Sequence, residues 1–533
     1  MAISDLTGTI SLDLEQATSI DPVETWLCPG MIVLVDGVYE EEYNSAGGSL
    51  GGTGGIGGTI GGRLTGFSIG APRCETRATT LGIADGSGMP HSEHNVGGGF
   101  GWVDFLGIGS ERAIGSRMRK IEQRLLHPRA TTSLSSSMNP LGSDHTNSNK
   151  VVVLGEVNLD NAICLTALRR VLLTYAPPLA SVPVPPPVTF VLLGNFVGQA
   201  AMSNTKSSAT AASTTIPDSI TYKESFDALA AVLSDFPGLL RSSTWIFVPG
   251  DNDPWASSFS SGASVPLPRN AIPEMLTTRV RRAFATANTA TGIASVTSSK
   301  DRVQGEAVWT TNPARVSLFG TSQEIVLFRD DLSGRMRRTS VPLKTASPAE
   351  DEGYGSGEQG REPRQRQAVT STMMSGALPD EHAMDIDDAA TQAATQSDEV
   401  DEDVVVVDAP ALPTSNIPEE RQKTSTSLQH ARSLTKTLLD QAHLSPFPLA
   451  TRPLHWSFAH SLSLYPLPSA LMLCDTDADA FVVRYQGCCV MNAGRIVGGR
   501  GSAGKGGKRG GREVSWVEYD ILERSAEVRF CDL

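Results

Sequence analysis

No two cysteines in the chain are spaced as CxxC: the seven (Cys28, Cys74, Cys164, Cys474, Cys488, Cys489 and Cys531) are odd in number and scattered. This excludes a zinc ribbon or finger built from the chain's own thiols and fits a reducing compartment better than a disulfide scaffold. Long apolar runs are also missing. No segment reaches about 18 uninterrupted apolar residues, and MAISDLTGTISLDLEQ has neither the basic start nor the apolar stretch of a secretory signal. The expectation is a soluble, intracellular protein with no membrane partner.

Over most of the chain net charge is nearly absent as well. The formal charge is −14, but residues 346–430 hold eighteen Asp and Glu against five Arg and Lys, which leaves the remainder near −1. The same segment is rich in Ser, Thr, Gln, Pro and Gly and almost free of aromatics, so it cannot bury enough apolar surface to offset its ordering entropy. It reads as a disordered acidic insertion, or alternatively as a tether for a basic partner. Three shorter segments read as loops: 130–149, 203–215 and the basic, glycine-rich 498–512, which could touch phosphates or serve as an import signal.

What is present, in 533 residues, is enough for two domains plus insertions. MIVLVDGVYEEEY (31–43) is a strand pattern. GGTGGIGGTIGG (51–62) contains the letters of GxGxxG, but a dinucleotide loop must open a helix and RLTGFSIG follows instead, so a hairpin connection is expected. Strands through Ser68, Thr80 and Trp102, closed by a helix over Ile114–Leu126, point to an OB-type barrel in residues 1–129. Phe67, Phe100 and Trp102 are expected in its core.

From Lys150 the pattern becomes βαβ. VVVLGEVNLD, TFVLLGNF and TWIFVPGDND each run from a buried strand into a polar turn. Between them Cys164, Leu168, Val171, Leu172 and Tyr175, then Phe226, Leu229, Leu233 and Phe236, recur at helical spacing. Open α/β sheets place sites at such strand ends.

This order of loops resembles the calcineurin-like metallophosphoesterases, with Asp-x-His, Gly-Asp, Gly-Asn-His-Asp or -Glu and a late Gly-His-x-His. Laid on that pattern, Glu156 and Asn158 take the first Asp and His, and Asn195, after Gly194, takes the bridging Asp. Asp251 and Asn252 stand for Asn and His, Asp253 follows them, and Asp475 and Asp477 take the closing histidines. A two-metal site needs imidazoles and carboxylates, and asparagine is a poor ligand for a transition metal. The positions therefore read as a vestigial site, with no catalytic residue, no metal and no cofactor. Pro254 and Trp255 are expected to make its third loop rigid and packed.

A phosphoesterase shell behind an OB-type barrel resembles the B subunits of the eukaryotic replicative DNA polymerases, most closely the B-subunit family of DNA polymerase epsilon. The resembling pieces are PGMIVLVDGVYEEEY, GGTIGGRLTGFSIGAP, VLGEVNLD, FVLLGNF, FVPGDNDPW with LPRNAIP, TTNPARVSLFGTSQEIVLFRDDL, and LSLYPLPSALMLCD with GCCVMNAG. Ser469 and Ala493 depart from the Asp after PLP and the Pro of an NPG turn. The implied fold class is α/β plus β. An OB-type barrel (1–129) and a loop insertion (130–149) precede a calcineurin-like phosphoesterase α/β sandwich in two parts (150–345 and 431–533), divided by the acidic disordered insertion (346–430).

The implied function is that of a noncatalytic, nuclear scaffold of the polymerase epsilon complex. Its partners would be the C-terminal zinc module of the catalytic subunit, other replisome subunits and, weakly, DNA. The alpha and delta B subunits, an active metallophosphoesterase and a direct DNA-binding module are the alternatives. Family members usually carry a helical domain ahead of the barrel, so a chain beginning almost at the barrel reads as a truncated or incompletely predicted product.

Overall fold

The computed structural model describes residues 1–20, 25–41, 59–81, 150–176, 188–201, 219–254, 262–289, 305–318, 323–343, 418–498 and 512–533. The N-terminal domain is a five-stranded sheet of β1 (Ala2–Ser4), β2 (Thr9–Asp13), β3 (Thr18–Ser19), β4 (Leu34–Glu41) and β5 (Thr59–Gly70). The long β5 is its spine, paired with β2 and β3 on one side and antiparallel with β4 on the other. Thr59–Gly62 thus begin a strand instead of opening a helix, and β4 and β5 are consecutive antiparallel strands, as a hairpin connection requires.

Two expectations for this domain are corrected. Thr80 lies in helix α1 (Arg77–Leu81), whose first turn is capped by Thr76 Oγ1 accepting the Thr79 N–H. Phe67 is 48% exposed, because Ala17, Leu27, Ile69 and Ala71 fill the small core instead. The expected strand at Trp102, the helix over 114–126, Phe100, and the loops 130–149 and 203–215 lie outside the described residues.

The second domain carries, in chain order, β6 (Lys150–Leu154), α2 (Ala162–Tyr175), β7 (Thr189–Leu193), α3 (Ser219–Ser234), α4 (Pro237–Ser242), β8 (Thr244–Val248), α5 (Thr278–Thr289) and β9 (Glu306–Trp309). There follow β10 (Ala314–Leu318), β11 (Gln323–Arg329), α6 (Leu332–Thr339), α7 (Pro418–Asp440), β12 (Ala470–Cys474), β13 (Phe481–Tyr485), β14 (Cys488–Asn492), β15 (Glu513–Asp520) and β16 (Ser525–Asp532). One sheet runs β16-β15-β6-β7-β8-β9 and the other β10-β11-β12-β14-β13, with β6 to β9 parallel to one another and β11, β12 and β14 likewise.

Side-chain alternation explains the layering. Val151, Val153, Val191, Leu193, Ile246 and Val248 face Ile325, Leu327, Met472 and Met491 of the other sheet in one core. Their neighbours Val152, Leu154, Phe190, Leu192, Trp245 and Phe247 point the other way, onto α2, α3 and α5. Val326, Phe328, Leu471 and Leu473 do the same against α6 and α7. Strands buried on both faces read as continuous apolar runs, which is why VVVL and IVLF show no alternation in the sequence.

Phe236 is buried but sits between helices: Pro237 opens α4, and its ring keeps the preceding residue out of helical geometry. Helix α7 begins at Pro418, so the C-terminal end of the expected insertion is helical. Residues 346–417 lie outside the described residues.

Helix α7 also latches the two domains. Thr437 Oγ1 accepts the Trp26 N–H at 3.0 Å, and Asp440 Oδ1 accepts the Cys74 N–H at 3.1 Å. The Gln441 side chain, just past the helix end, exchanges two 2.8 Å bonds with the Ile32 backbone. The segment after α6 adds a bond from the Val341 N–H to Leu27 O.

Phe247 stacks on Trp309 with ring centroids 4.2 Å apart and planes 11° apart, in the layer between the sheet and its helices. Phe247→Ala should cost about 3–5 kcal/mol in urea unfolding. Leu173→Ala, at a site 53% exposed, should stay within about 0.5 kcal/mol. Equal losses would refute this layering.

Candidate functional site

The loops that follow β6, β7, β8, β11 and β12 meet at one edge of the sandwich. After β6, Glu156 takes a left-handed backbone (φ 47°) and turns its carboxylate toward the β7 loop. There it accepts the Asn195 N–H at 3.2 Å and the Asn195 Nδ2 at 3.0 Å. Asn195 Oδ1 in turn accepts the Asn252 N–H at 2.9 Å, and Asn252 Nδ2 donates to Val197 O at 3.1 Å. The two amides therefore act as connectors between three strand ends.

Asp253 is the anchor beneath them. It accepts the Gly250 N–H at 2.7 Å, the Phe196 N–H at 3.1 Å and the Tyr222 hydroxyl at 2.9 Å. Gly194 and Gly250 are required by this close approach: a Cβ on Gly194 would collide with Asp253 Oδ2 and the Gly250 nitrogen, and one on Gly250 with Asn195.

Above this layer lies a buried charge cluster. Arg329, the last residue of β11, donates to Glu156 Oε2 at 2.9 Å and to Asp331 Oδ2 at 3.2 Å, and its Nη1 stands 3.6 Å from Asp251 Oδ2. Arg452 donates to Asp251 Oδ1 at 2.7 Å. Its Nε faces Asp330 Oδ2 at 3.5 Å, an ion pair without hydrogen-bond geometry. Arg335 pairs with Asp330 at 2.9 Å and approaches Asp251 at 3.9 Å, while Arg269 lies 3.7 Å from Asp251 and donates to the Asp253 carbonyl. Arg269, Arg329 and Arg452 are at most 2% exposed and Arg335 is 9% exposed.

The carboxyl groups divide accordingly. Burial raises the Asp251 pKa, but Arg452, Arg329 and Arg269 outweigh it and hold the group below the usual carboxylate range. Asp331 follows the same pattern, with Arg329 the main opposing charge. Burial pushes Asp330 up to about 6, assisted by the Asp251 charge and only partly opposed by Arg452 and Arg335. Asp253, also dominated by burial, is pushed up to about 6.

Of the positions singled out in the sequence, Glu156, Gly194, Asn195, Asp251, Asn252 and Asp253 come together. Asn158 joins them only through its backbone, its N–H donating to Glu156 O at 3.0 Å. Its backbone shapes the turn into α2, and its side-chain oxygen is buried without a partner. Asp475 is buried but faces α6, accepting the Ser333 N–H at 2.6 Å as a cap for that helix. Asp477 is exposed, and its carbonyl accepts from Arg337 at 3.2 Å. Pro254 is buried, and Trp255 lies outside the described residues.

The four arginines, Asp330 and Asp331 escaped the sequence reading. A signal existed in FRDDL, where a charged residue ends a strand buried on both faces and two more follow it; Arg452 and Arg335 gave none. Among the described residues no group of three or more His, Cys, Asp and Glu is arranged to hold a metal. Every carboxylate at the mouth is already engaged by a guanidinium or an amide. The arrangement binds charge internally.

Asp253 supplies a pH test. Its folded pKa lies above the unfolded value, so its contribution to stability is complete below about pH 4 and is lost as pH rises through about 6. The stability of the wild type relative to Asp253→Asn should thus be greater at pH 5 than at pH 7.5 by about 1 kcal/mol in urea titrations. A difference of the opposite sign would contradict the assignment.

Comparison with known proteins adds the family. The model of the family described as DNA polymerase epsilon subunit 2-like, OB-fold domain, matches residues 1–73. The B subunit of DNA polymerase epsilon from Saccharomyces cerevisiae is 28% identical over 507 residues, 94% of this chain and 54% of the relative. That of Schizosaccharomyces pombe is 27% identical over 495 residues, 93% of this chain and 55% of the relative. The DNA polymerase epsilon subunit 2 of Mus musculus is 22% identical over 494 residues, 92% and 58% respectively. The chain spans about half the length of these curated relatives. The model of the DNA polymerase alpha/epsilon B-subunit family matches residues 151–483, more than half of the chain, and the protein belongs to that family.

Proposed function

We propose that the protein is a noncatalytic accessory subunit of a DNA polymerase epsilon complex, working in the nucleus as a scaffold for the catalytic subunit. Its second domain, on this reading, is a calcineurin-like phosphoesterase fold that has lost its chemistry. Glu156, Asn158, Asn195, Asp251, Asn252, Asp475 and Asp477 stand at the former ligand positions, with Gly194 and Asp253 beside them.

One observation supports the loss of chemistry: the guanidinium of Arg329 lies against Glu156, Asp331 and Asp251, so the negative charge that would attract a phosphoryl-activating cation is already neutralised. A Lewis acid at that point must present an open coordination position to substrate, and here arginine side chains saturate the carboxylates. What the fold retains is a rigid surface, and fold alone does not set function. The C-terminal zinc module of the catalytic subunit is the partner this reading names. Trp456, 83% exposed, with Phe458, 56% exposed, on the turn Trp456–Leu462, gives such a partner an aromatic anchor. DNA contact, through the barrel or the basic segment 498–512, is a secondary role.

Two measurements test this. Purified protein should hydrolyse no phosphodiester with added manganese; turnover that disappears on Asp251→Ala would overturn the noncatalytic assignment. Co-expression with the catalytic subunit's C-terminal region should give a complex that survives gel filtration at about half-molar salt, where screening shortens to about 4 Å. Such an interface buries more than about 1,600 Å² and does not depend on exposed charge. Separate peaks at low salt would count against the subunit assignment.

A further inference from the structure

A two-metal phosphoesterase brings its strand-end carboxylates together around two divalent cations, four positive charges in all. The carboxylates of this chain converge on guanidinium groups. Glu156, Asp251, Asp330 and Asp331 come from the loops after β6, β8 and β11, and four anions packed this closely in a dry interior would repel one another strongly.

Four arginines from separate stretches of sequence point into the same space. Arg329 lies at the end of β11, Arg335 on α6, Arg269 on the segment after the β8 loop, and Arg452 on the segment after α7. Asp251 is within 4 Å of all four: Arg452 at 2.7 Å, Arg329 at 3.6 Å, Arg269 at 3.7 Å and Arg335 at 3.9 Å. Arg329 bridges three carboxylates from three loops, as a shared cation would. Arg452 and Arg335 both join Asp251 to Asp330.

We propose that Arg269, Arg329, Arg335 and Arg452 take the electrostatic place of the divalent-cation pair, holding the strand ends together as a metal-independent guanidinium core. The proposal rests on the phosphoesterase reading above and deepens it. Arginine suits the task because its charge survives burial and its planar fork pairs with carboxylates in fixed directions. Lysine would present one compact charge and titrate when desolvated. The neutral Asn195 fits the same account: it donates to Glu156, and a carboxylate there would add a fifth negative charge.

The test is a double-mutant cycle on the full chain, read by thermal unfolding with and without EDTA or manganese. Arg329→Met alone should lower the unfolding midpoint by about 5–15 °C, since it removes the guanidinium held against Glu156 and Asp331. Combined with Glu156→Gln it should lose clearly less than the sum of the two single losses, because the pair leaves together. Additive losses would overturn the counter-charge role. If Arg329→Met does not fold, Arg335→Met with Asp330→Asn, a pair 2.9 Å apart, makes the same cycle and is judged in the same way.

The wild type should carry no stoichiometric metal by elemental analysis, and its midpoint should move by less than about 2 °C with EDTA. A bound metal, or a large fall with EDTA, would also overturn the proposal. Additive losses in a metal-free protein that still binds the catalytic subunit's C-terminal region sink this proposal alone; a stoichiometric metal with turnover sinks the noncatalytic reading too.

Discussion

Arg329 carries a full positive charge at the end of a strand where it is 1% exposed, and the loops around it are arranged so that this charge is never without a partner. Taking a guanidinium out of water costs several kcal/mol, a cost offset only where its donors find anions at good geometry. That requirement fixes Glu156 in its left-handed turn, Asp331 at the start of α6 and Asp251 at the end of β8. Each is then tied to something else: Glu156 to Asn195, Asp331 to Thr476, Asp251 to Arg452. Movement of one loop would expose an unpaired charge in another, so the edge of the sandwich behaves as a single piece.

The rest of the architecture serves that piece. Two sheets packed face to face bring β6, β7 and β8 opposite β11 and β12, which is why their loops converge. Helix α7 then carries the same rigidity to the N-terminal domain through Thr437 and Asp440, with Gln441 just beyond. For a protein of a polymerase B-subunit family, the result is a fixed relation between an OB-fold domain and a sandwich.

The parts of this arrangement that follow from local rules were legible in the sequence. VVVL, TFVLL and TWIFV announce buried strands by apolar continuity, and the polar turns after them announce the site edge. Gly194 and Gly250 were visible as part of those turns, though not the close approach that demands them. Arg452 could not be read because nothing local marks it; its role exists only once distant stretches of the chain are folded together. Asp475 and Asp477 show the complementary case. A pair of acids after a strand was visible in the sequence, but not that Asp475 accepts the Ser333 N–H of a helix while Asp477 is exposed. Thr80 and Phe236 show smaller failures of the same kind, where a cap or a following proline overrode the pattern.

Glu156, Asp251 and Arg329 also set which sequence changes the chain tolerates. A substitution that removes Arg329 alone takes the guanidinium away from Glu156 and Asp331, and one that removes Glu156 alone leaves a buried cation short of an anion. The less costly path is a paired change, so these positions are expected to vary together, while exposed positions of the same domain are free to vary singly. The arginine cluster works as a brake on the interior that the surface does not feel.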